Sequence, residues 1–380
     1  MDHTTAQGGA EFALMRMLVA DHGWAGTVLL PRTHRQDPGV YAGLVETRSA
    51  VVNFLGPAQS PGASKAGPVS VVWFGLRLVG QALAIRMSRQ FRSTDVVHAN
   101  TSRAALYAAL ASWGTRKALV VHLRDTVDRT SLGGIGFVLF TRIVLGRATG
   151  VIANSAPTLK SAMPFLKQNV LTSVVPSAAG IREDRSQVAR VRGDVGAVGM
   201  VARIDPWKGQ DLLIRAFARV YGGTDVRLII AGEPAFGHES YAAELDRLVR
   251  ELDIRPQVDL LGHVDDVNAL LNDLDVCVQA SRRPEPLGQN VLQYLAAGKV
   301  IVATREGGPG EWIADGENGV LFDMNNLDQL VDALTRVSAD SGFRKRLAHN
   351  AVRTPGLKTD AEVAAEHLAF FSESFSAVDH

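Results

Sequence analysis

"RRPEPLGQNVLQYLAAGKVIVATREGGPGEW", residues 282–312, packs an acid, a glycine turn, an apolar helix, a short strand and a second glycine turn into one stretch. Glu285 stands just ahead of the first turn, and Gly307, Gly308 and Gly310 follow the strand pattern "VIVAT". That strand is a continuous apolar run, the pattern of a strand covered on both faces in a parallel sheet. A turn that feeds a helix beyond the C-terminal end of such a strand turns backbone amides and a positive dipole end toward a polar ligand. The stretch therefore predicts a doubly wound α/β sheet with a binding edge.

The same alternation runs outward in both directions. Strand patterns "TVLLP", "SAVVNFL", "DVVHANT", "KALVVHLRD", "GVIANS" and "LTSVVPS" fill the first half, and "GAVGMVAR", "VRLIIAGE", "VDLLGHV", "DVCVQAS", "VIVATREGG" and "GVLF" the second. Helical patterns such as "GQDLLIRAFARVYG" supply the crossovers. Two such series predict two Rossmann-like domains facing a cleft, residues 1–180 and 195–359. The charged segment around 181–194 is the linker. The polar stretch 56–68 reads as a mobile loop in the first domain. Only "MDHTTA" precedes "QGGAE", which predicts a missing or very short first strand and a truncated N terminus. The final helix, over 360–378, opens with Thr359 and Asp360 as capping residues, but its pattern does not say which domain it joins.

Composition narrows the function. A chain of 380 residues, 46% hydrophobic and 21% charged, is expected to bury two cores. A net charge of +1 gives no basis for bulk electrostatic binding of nucleic acid. The single cysteine, Cys277, excludes an internal disulfide framework and points to a reducing, cytoplasmic setting, as an inert thiol in a buried strand. The apolar stretches 71–87 and 131–146 carry Arg77 and Arg142, and neither offers the ~20 uncharged residues of a spanning helix. The first of them suits peripheral contact with the inner face of a membrane, and suits burial equally well.

Candidate site residues gather at strand ends. Gly8 and Gly9 open the first helix, and Gly232, Glu233, Gly262, His263 and Val264 follow two strands of the second half. Arg203 and Lys208 share one loop, and a guanidinium with an ammonium suits a diphosphate. Glu285 is placed to accept from sugar hydroxyls. His122, beside Arg124 and Asp125 at the end of "KALVVHLRD", is the candidate imidazole for the cleft, ahead of His98. Asp273 and Asp275 form a D-x-D, the spacing of a metal-holding pair. It falls where a helix runs into a strand, which favours a turn.

These residues resemble family 4 glycosyltransferases, retaining enzymes of the GT-B fold. The resemblance spans nearly the whole chain, rests on "GGAE", "RIDPWKG", "EPLGQNVLQ" and "REGGPGEW", and is strongest over 196–323. It implies transfer of a hexose from a nucleotide diphosphate sugar to an acceptor hydroxyl, on a growing polysaccharide, a cell-envelope glycan or a lipid-linked glycan. It implies that Arg203 and Lys208 grip the diphosphate, that Glu285 holds a sugar hydroxyl and that His122 orients the sugar. The amides of Leu287, Gly288, Gln289 and Asn290 would cradle sugar and phosphate, with Gly8 and Gly9 approaching the phosphates. The departing phosphate would help deprotonate the acceptor, with no cofactor and no metal. The resemblance also implies that residues 360–378 return to the first domain.

Two departures stand out. The acid that binds the ribose in the family is Gln293 here, which keeps hydrogen bonding but lacks the charge that strengthens it. The family's "PNG" before the linker is "PSAAG". A nucleotide-sugar epimerase of the same architecture and an inactive sugar-nucleotide-binding subunit are the alternatives.

Overall fold

The computed structural model describes residues 1–20, 23–32, 36–58, 68–181, 191–234 and 237–379, with backbone alone at 68–72 and 379. Most of the expected mobile loop, 59–67, and of the expected linker, 182–190, lies outside the described residues. The chain divides into two compact units, Met1–Gly180 with Lys358–His380, and Ile181–Leu357.

In the first unit β1 (Gly26–Pro31) pairs with β2 (Ala50–Leu55). The strands β3 (Val96–Ala99), β4 (Ala118–Leu123), β5 (Gly150–Ala153) and β6 (Leu171–Val174) form a second sheet in sequence order. Every pairing is parallel. Met1 and Asp2 lie between the two sheets. The Asp2 amide donates to Leu29 O at 3.1 Å, and Met1 O accepts from the Asn100 amide at 3.0 Å.

The period-2 geometry of β4 sends its side chains into two different cores. Leu119 and Val121 pack with Leu78, Ile85 and Ala105 from the helices Pro68–Met87 and Ser102–Ala111. Val120 faces the other way, with Leu14 and Met17 of the helix Gly9–Val19 and Ala364 and Phe370 of the helix Asp360–Asp379. That last helix starts with a reciprocal cap. The Glu362 amide donates to Thr359 Oγ1 at 3.2 Å, and the Thr359 amide to Glu362 Oε2 at 2.7 Å.

The apolar helix Pro68–Met87 buries Leu78, Gln81, Ala82 and Ile85 and leaves Trp73, Leu76, Val79, Leu83 and Met87 exposed. Among the described residues no helix is long and apolar enough to cross a membrane.

The second unit holds one six-stranded parallel sheet. Its strands are β7 (Ala197–Val201), β8 (Arg227–Ala231), β9 (Val258–Gly262), β10 (Val276–Gln279), β11 (Val300–Thr304) and β12 (Val320–Phe322). Their order is β12-β11-β10-β7-β8-β9. The order in which strands are added reverses between β7 and β10, so the crossovers on the two sides lie on opposite faces. The resulting crevice at the C-terminal ends of β7 and β10 is where open α/β sheets bind ligands. Asp275 is a structural residue in this sheet. Its Oδ2 accepts from the amides of Gly196 at 2.8 Å and Ala197 at 3.0 Å and ties the start of β10 to β7.

Candidate functional site

Three loops meet at that reversal point, after β7, β10 and β11. The loop after β7 begins with Arg203 and ends at Lys208, where a short 3-10 turn, Pro206–Lys208, is capped by Asp205. Asp205 is buried, accepts from the Trp207 amide at 3.2 Å and takes the Arg203 Nη2 donor at 3.1 Å. One carboxylate thus shapes the loop and aims its guanidinium. Lys208 Nζ reaches across to the β10 loop and contacts Glu285 Oε1 at 2.5 Å, and Ser281 Oγ donates to the same oxygen at 2.6 Å. The ammonium also lies 3.9 Å from the Trp207 ring centroid, a cation–π contact that restricts where it can move.

Backbone fixes the loops to one another. The Arg282 amide donates to Trp207 O at 2.6 Å, and the Gly308 amide to Glu285 O at 2.7 Å. Glycine is required where they approach. At Gly209 φ is +74° and an added Cβ would stand 2.0 Å from Ala280 O; at Gly307 φ is +85° and a Cβ would stand 2.4 Å from Glu285 O. Neither the left-handed backbone nor the space admits a side chain.

Two helices start from this crevice, Gln210–Tyr221 after Gly209 and Gln289–Ala296 after Gly288, and neither has a side-chain cap. Their first amides point where an anion is favoured. Asn290 anchors the second helix by donating to Val201 O at 3.1 Å, beside a bond of 2.8 Å from the Val201 amide to Tyr294 Oη. Leu287 is buried beneath the turn, and Gln293 is partly buried one turn along the helix. Gly232 and Glu233 follow β8, where the Glu233 carbonyl accepts from the Ile204 amide at 2.9 Å. Gly262 closes β9, and His263 faces Asp265 at 3.1 Å just before the partly buried Val264.

The remaining candidates belong to the first unit and are described within it. Gly8 precedes the helix that Gly9 begins. In the same helix Glu11 is buried; burial, then the charge of Asp2, pushes its carboxyl up to about 7. Asp2 accepts from Tyr41 Oη at 2.5 Å, Asn100 Nδ2 at 2.7 Å and Thr101 Oγ1 at 3.1 Å. Arg124 donates to Asn100 Oδ1 at 2.7 Å and Ser177 Oγ at 2.7 Å, and burial lowers its guanidinium to about 10. His122 is only 2% exposed, on the side of β4 that meets the helix Asp360–Asp379. Its neighbours there are His98 and His367, with Nδ1 3.2 Å from His98 Nε2 and 3.5 Å from His367 Nε2.

Sequence reasoning missed Asp205, Trp207, Ser281 and His367. Asp205 had a signal, since Asp-Pro at the head of a turn is a capping pattern. His367 had none, because it lies 245 residues from His122 in the chain.

The family Glycosyl transferases group 1 matches residues 182–354. The lipopolysaccharide core biosynthesis glycosyltransferase LpsE of Rhizobium meliloti is 29% identical over 218 residues, 56% of this chain and 61% of that protein. A D-inositol 3-phosphate glycosyltransferase of Corynebacterium glutamicum is 26% identical over 190 residues, 47% and 44% of the two chains. The alignment with each of these relatives thus spans less than two thirds of its length. Among solved structures, Anabaena HepE in complex with UDP and glucose has a TM-score of 0.78 at 23% identity, over 97% of both chains. Sucrose-phosphate synthase from Thermosynechococcus elongatus has a TM-score of 0.77 at 18% identity, over 99% of this chain and 95% of the other. Residues 182–354 thus match the glycosyl transferases group 1 family, and the chain has the parallel α/β fold of GT-B glycosyltransferases.

Proposed function

We propose that this protein is a retaining glycosyltransferase that moves a hexose from a nucleotide diphosphate sugar to an acceptor hydroxyl. The observation that carries the proposal is the meeting of Arg203, Lys208 and Glu285 at the reversal point of the sheet, inside the glycosyl transferases group 1 domain.

Arg203 and Lys208 bind the diphosphate and neutralise the charge that grows on it as the glycosidic bond breaks. Glu285 accepts from a sugar hydroxyl, and the amides of Leu287 to Asn290 cradle sugar and phosphate. Gln293 meets the ribose, and the loops carrying Gly232, Glu233, Gly262, His263 and Val264 take the nucleoside. The departing phosphate oxygen receives the acceptor's proton, so transfer needs no divalent ion. The family resemblance assigns Gly8 and Gly9 to the phosphates and His122 to orienting the sugar.

The likeness to LpsE, of lipopolysaccharide core biosynthesis, supports a glycan or lipid-linked acceptor of the cell envelope, and the UDP and glucose bound by HepE support the donor. The exposed face Trp73, Leu76, Val79, Leu83 and Met87, with Arg77 and Arg86 exposed alongside, suits an acceptor held at an anionic lipid surface. Co-sedimentation with anionic vesicles tests that part; binding unchanged in Leu76→Ser/Leu83→Ser would remove it.

The activity itself is tested by incubating the protein with a panel of nucleotide sugars. Thermal shift identifies the donor, and NMR of the product reads the anomeric configuration. Inversion at the anomeric carbon would overturn the retaining reading, and no stabilisation by any donor would overturn the donor site.

A further inference from the structure

We propose that His98, His122 and His367 form a three-imidazole site in the first unit for a transition-metal ion of the Zn²⁺ type. The three ligand atoms, one from each residue, all lie within 4.8 Å of one another. His122 Nδ1 is 3.2 Å from His98 Nε2 and 3.5 Å from His367 Nε2. Zinc–nitrogen bonds of about 2.0–2.1 Å in a tetrahedron require nitrogens roughly 3.3–3.4 Å apart, so these spacings match adjacent corners of such a shell.

The protonation pattern agrees. His367 Nδ1 lies 2.7 Å from Val363 O one turn back, which makes Nδ1 the donor and leaves Nε2 a bare lone pair aimed at the cluster. A ligating histidine is commonly oriented by such a bond from its other nitrogen. Without a metal, the three converging nitrogens can share at most hydrogens from His98 and His122.

The ring faces are packed by Phe371, 5.3 Å from His98 and 5.8 Å from His367 between centroids. The charged group acting on all three is Arg124, whose positive charge opposes a dication. It sets the site toward weaker binding than an all-neutral shell would give. His98 is the partly exposed member and marks the entry path. A bound ion would join β3, β4 and the helix Asp360–Asp379, which comes from the far end of the chain.

The test measures metal in the full-length protein purified without a histidine tag, then titrates Co²⁺ and Zn²⁺ into chelator-treated protein. The expected result is one Co²⁺ per chain with tetrahedral d–d bands, displaced by Zn²⁺, and a melting temperature raised by several degrees. His98→Gln and His367→Gln should each abolish the bands and the thermal shift. Circular dichroism and the unliganded melting curve show whether each variant folds, and if His367→Gln does not, the more exposed His98→Gln decides. Folded wild-type protein that takes up neither ion, or variants that bind as tightly as wild type, would overturn the proposal.

Discussion

Lys208 and Glu285 are in contact at 2.5 Å, so the ammonium proposed for the diphosphate and the carboxylate proposed for the sugar are hydrogen-bond partners of one another. The loops after β7 and β10 are thereby held in register. Lys208→Ala is expected to lower kcat by about 10²–10³, the range for removing one preorganised electrostatic stabiliser. Arg203→Ala should do the same. Steady-state kinetics with the identified donor check both, and wild-type turnover in either would end the diphosphate assignment.

Asp205 acts on the site through Arg203 and through the backbone of its own loop. Asp205→Asn retains part of the cap but loses the charge that orients the guanidinium. The expected outcome is a drop of about tenfold in kcat/KM, with a stability loss near the ~1 kcal/mol of a weakened cap. Asp205→Ala should cost more in both. A variant that loses stability while keeping kcat/KM would show that Asp205 serves the fold alone.

Gln293 offers the opposite kind of test, a gain. If its side chain meets the ribose, Gln293→Glu replaces a neutral acceptor by a charged one, and hydrogen bonds to charged groups are stronger by about 1 kcal/mol. Nucleoside diphosphate affinity measured by calorimetry should rise roughly fivefold. Unchanged affinity places position 293 away from the ribose.

Two buried groups in the first unit give stability opposite dependences on pH. His367 is lowered to about 4 by burial. The unfolded chain therefore takes up its proton first, and stability falls as pH drops from about 6.5 toward 4. Glu11 is raised to about 7, first by burial and then by Asp2. Its contribution is present below about 4.3 and is lost as pH climbs through 7. The two contributions overlap and offset between about pH 4.3 and 6.5, so Glu11→Gln, which removes only the one that falls with pH, should make stability rise more steeply with pH across that window in thermal melts. An unchanged pH profile in Glu11→Gln would show that Glu11 does not titrate in this range.

Strands were the most legible part of this sequence. Runs such as "ALVVHL" and "VIVAT" bury both faces, and apolar continuity is visible without knowing what covers them. Strand order was not legible, because a run of valines is the same whether its neighbour is β8 or β10. The site was half legible. Arg203, Lys208 and Glu285 announce themselves by charge at strand ends, and the spacing "RIDPWKG" places the first two on one loop. That Lys208 would touch Glu285 could not be read, since 77 residues separate them and only the β7–β10 adjacency joins their loops. Asp273 and Asp275 show the converse. Their spacing suggested metal, yet Asp275 is bound to the Gly196 and Ala197 amides, so local backbone demand accounts for it.

The Gly180 amide donates to Asp360 Oδ1 at 3.0 Å. The chain thus leaves the first unit and re-enters it at one spot, with everything in Ile181–Leu357 strung between two touching residues. Topologically the second unit is an insertion into the first, which the chain leaves and re-enters at neighbouring points.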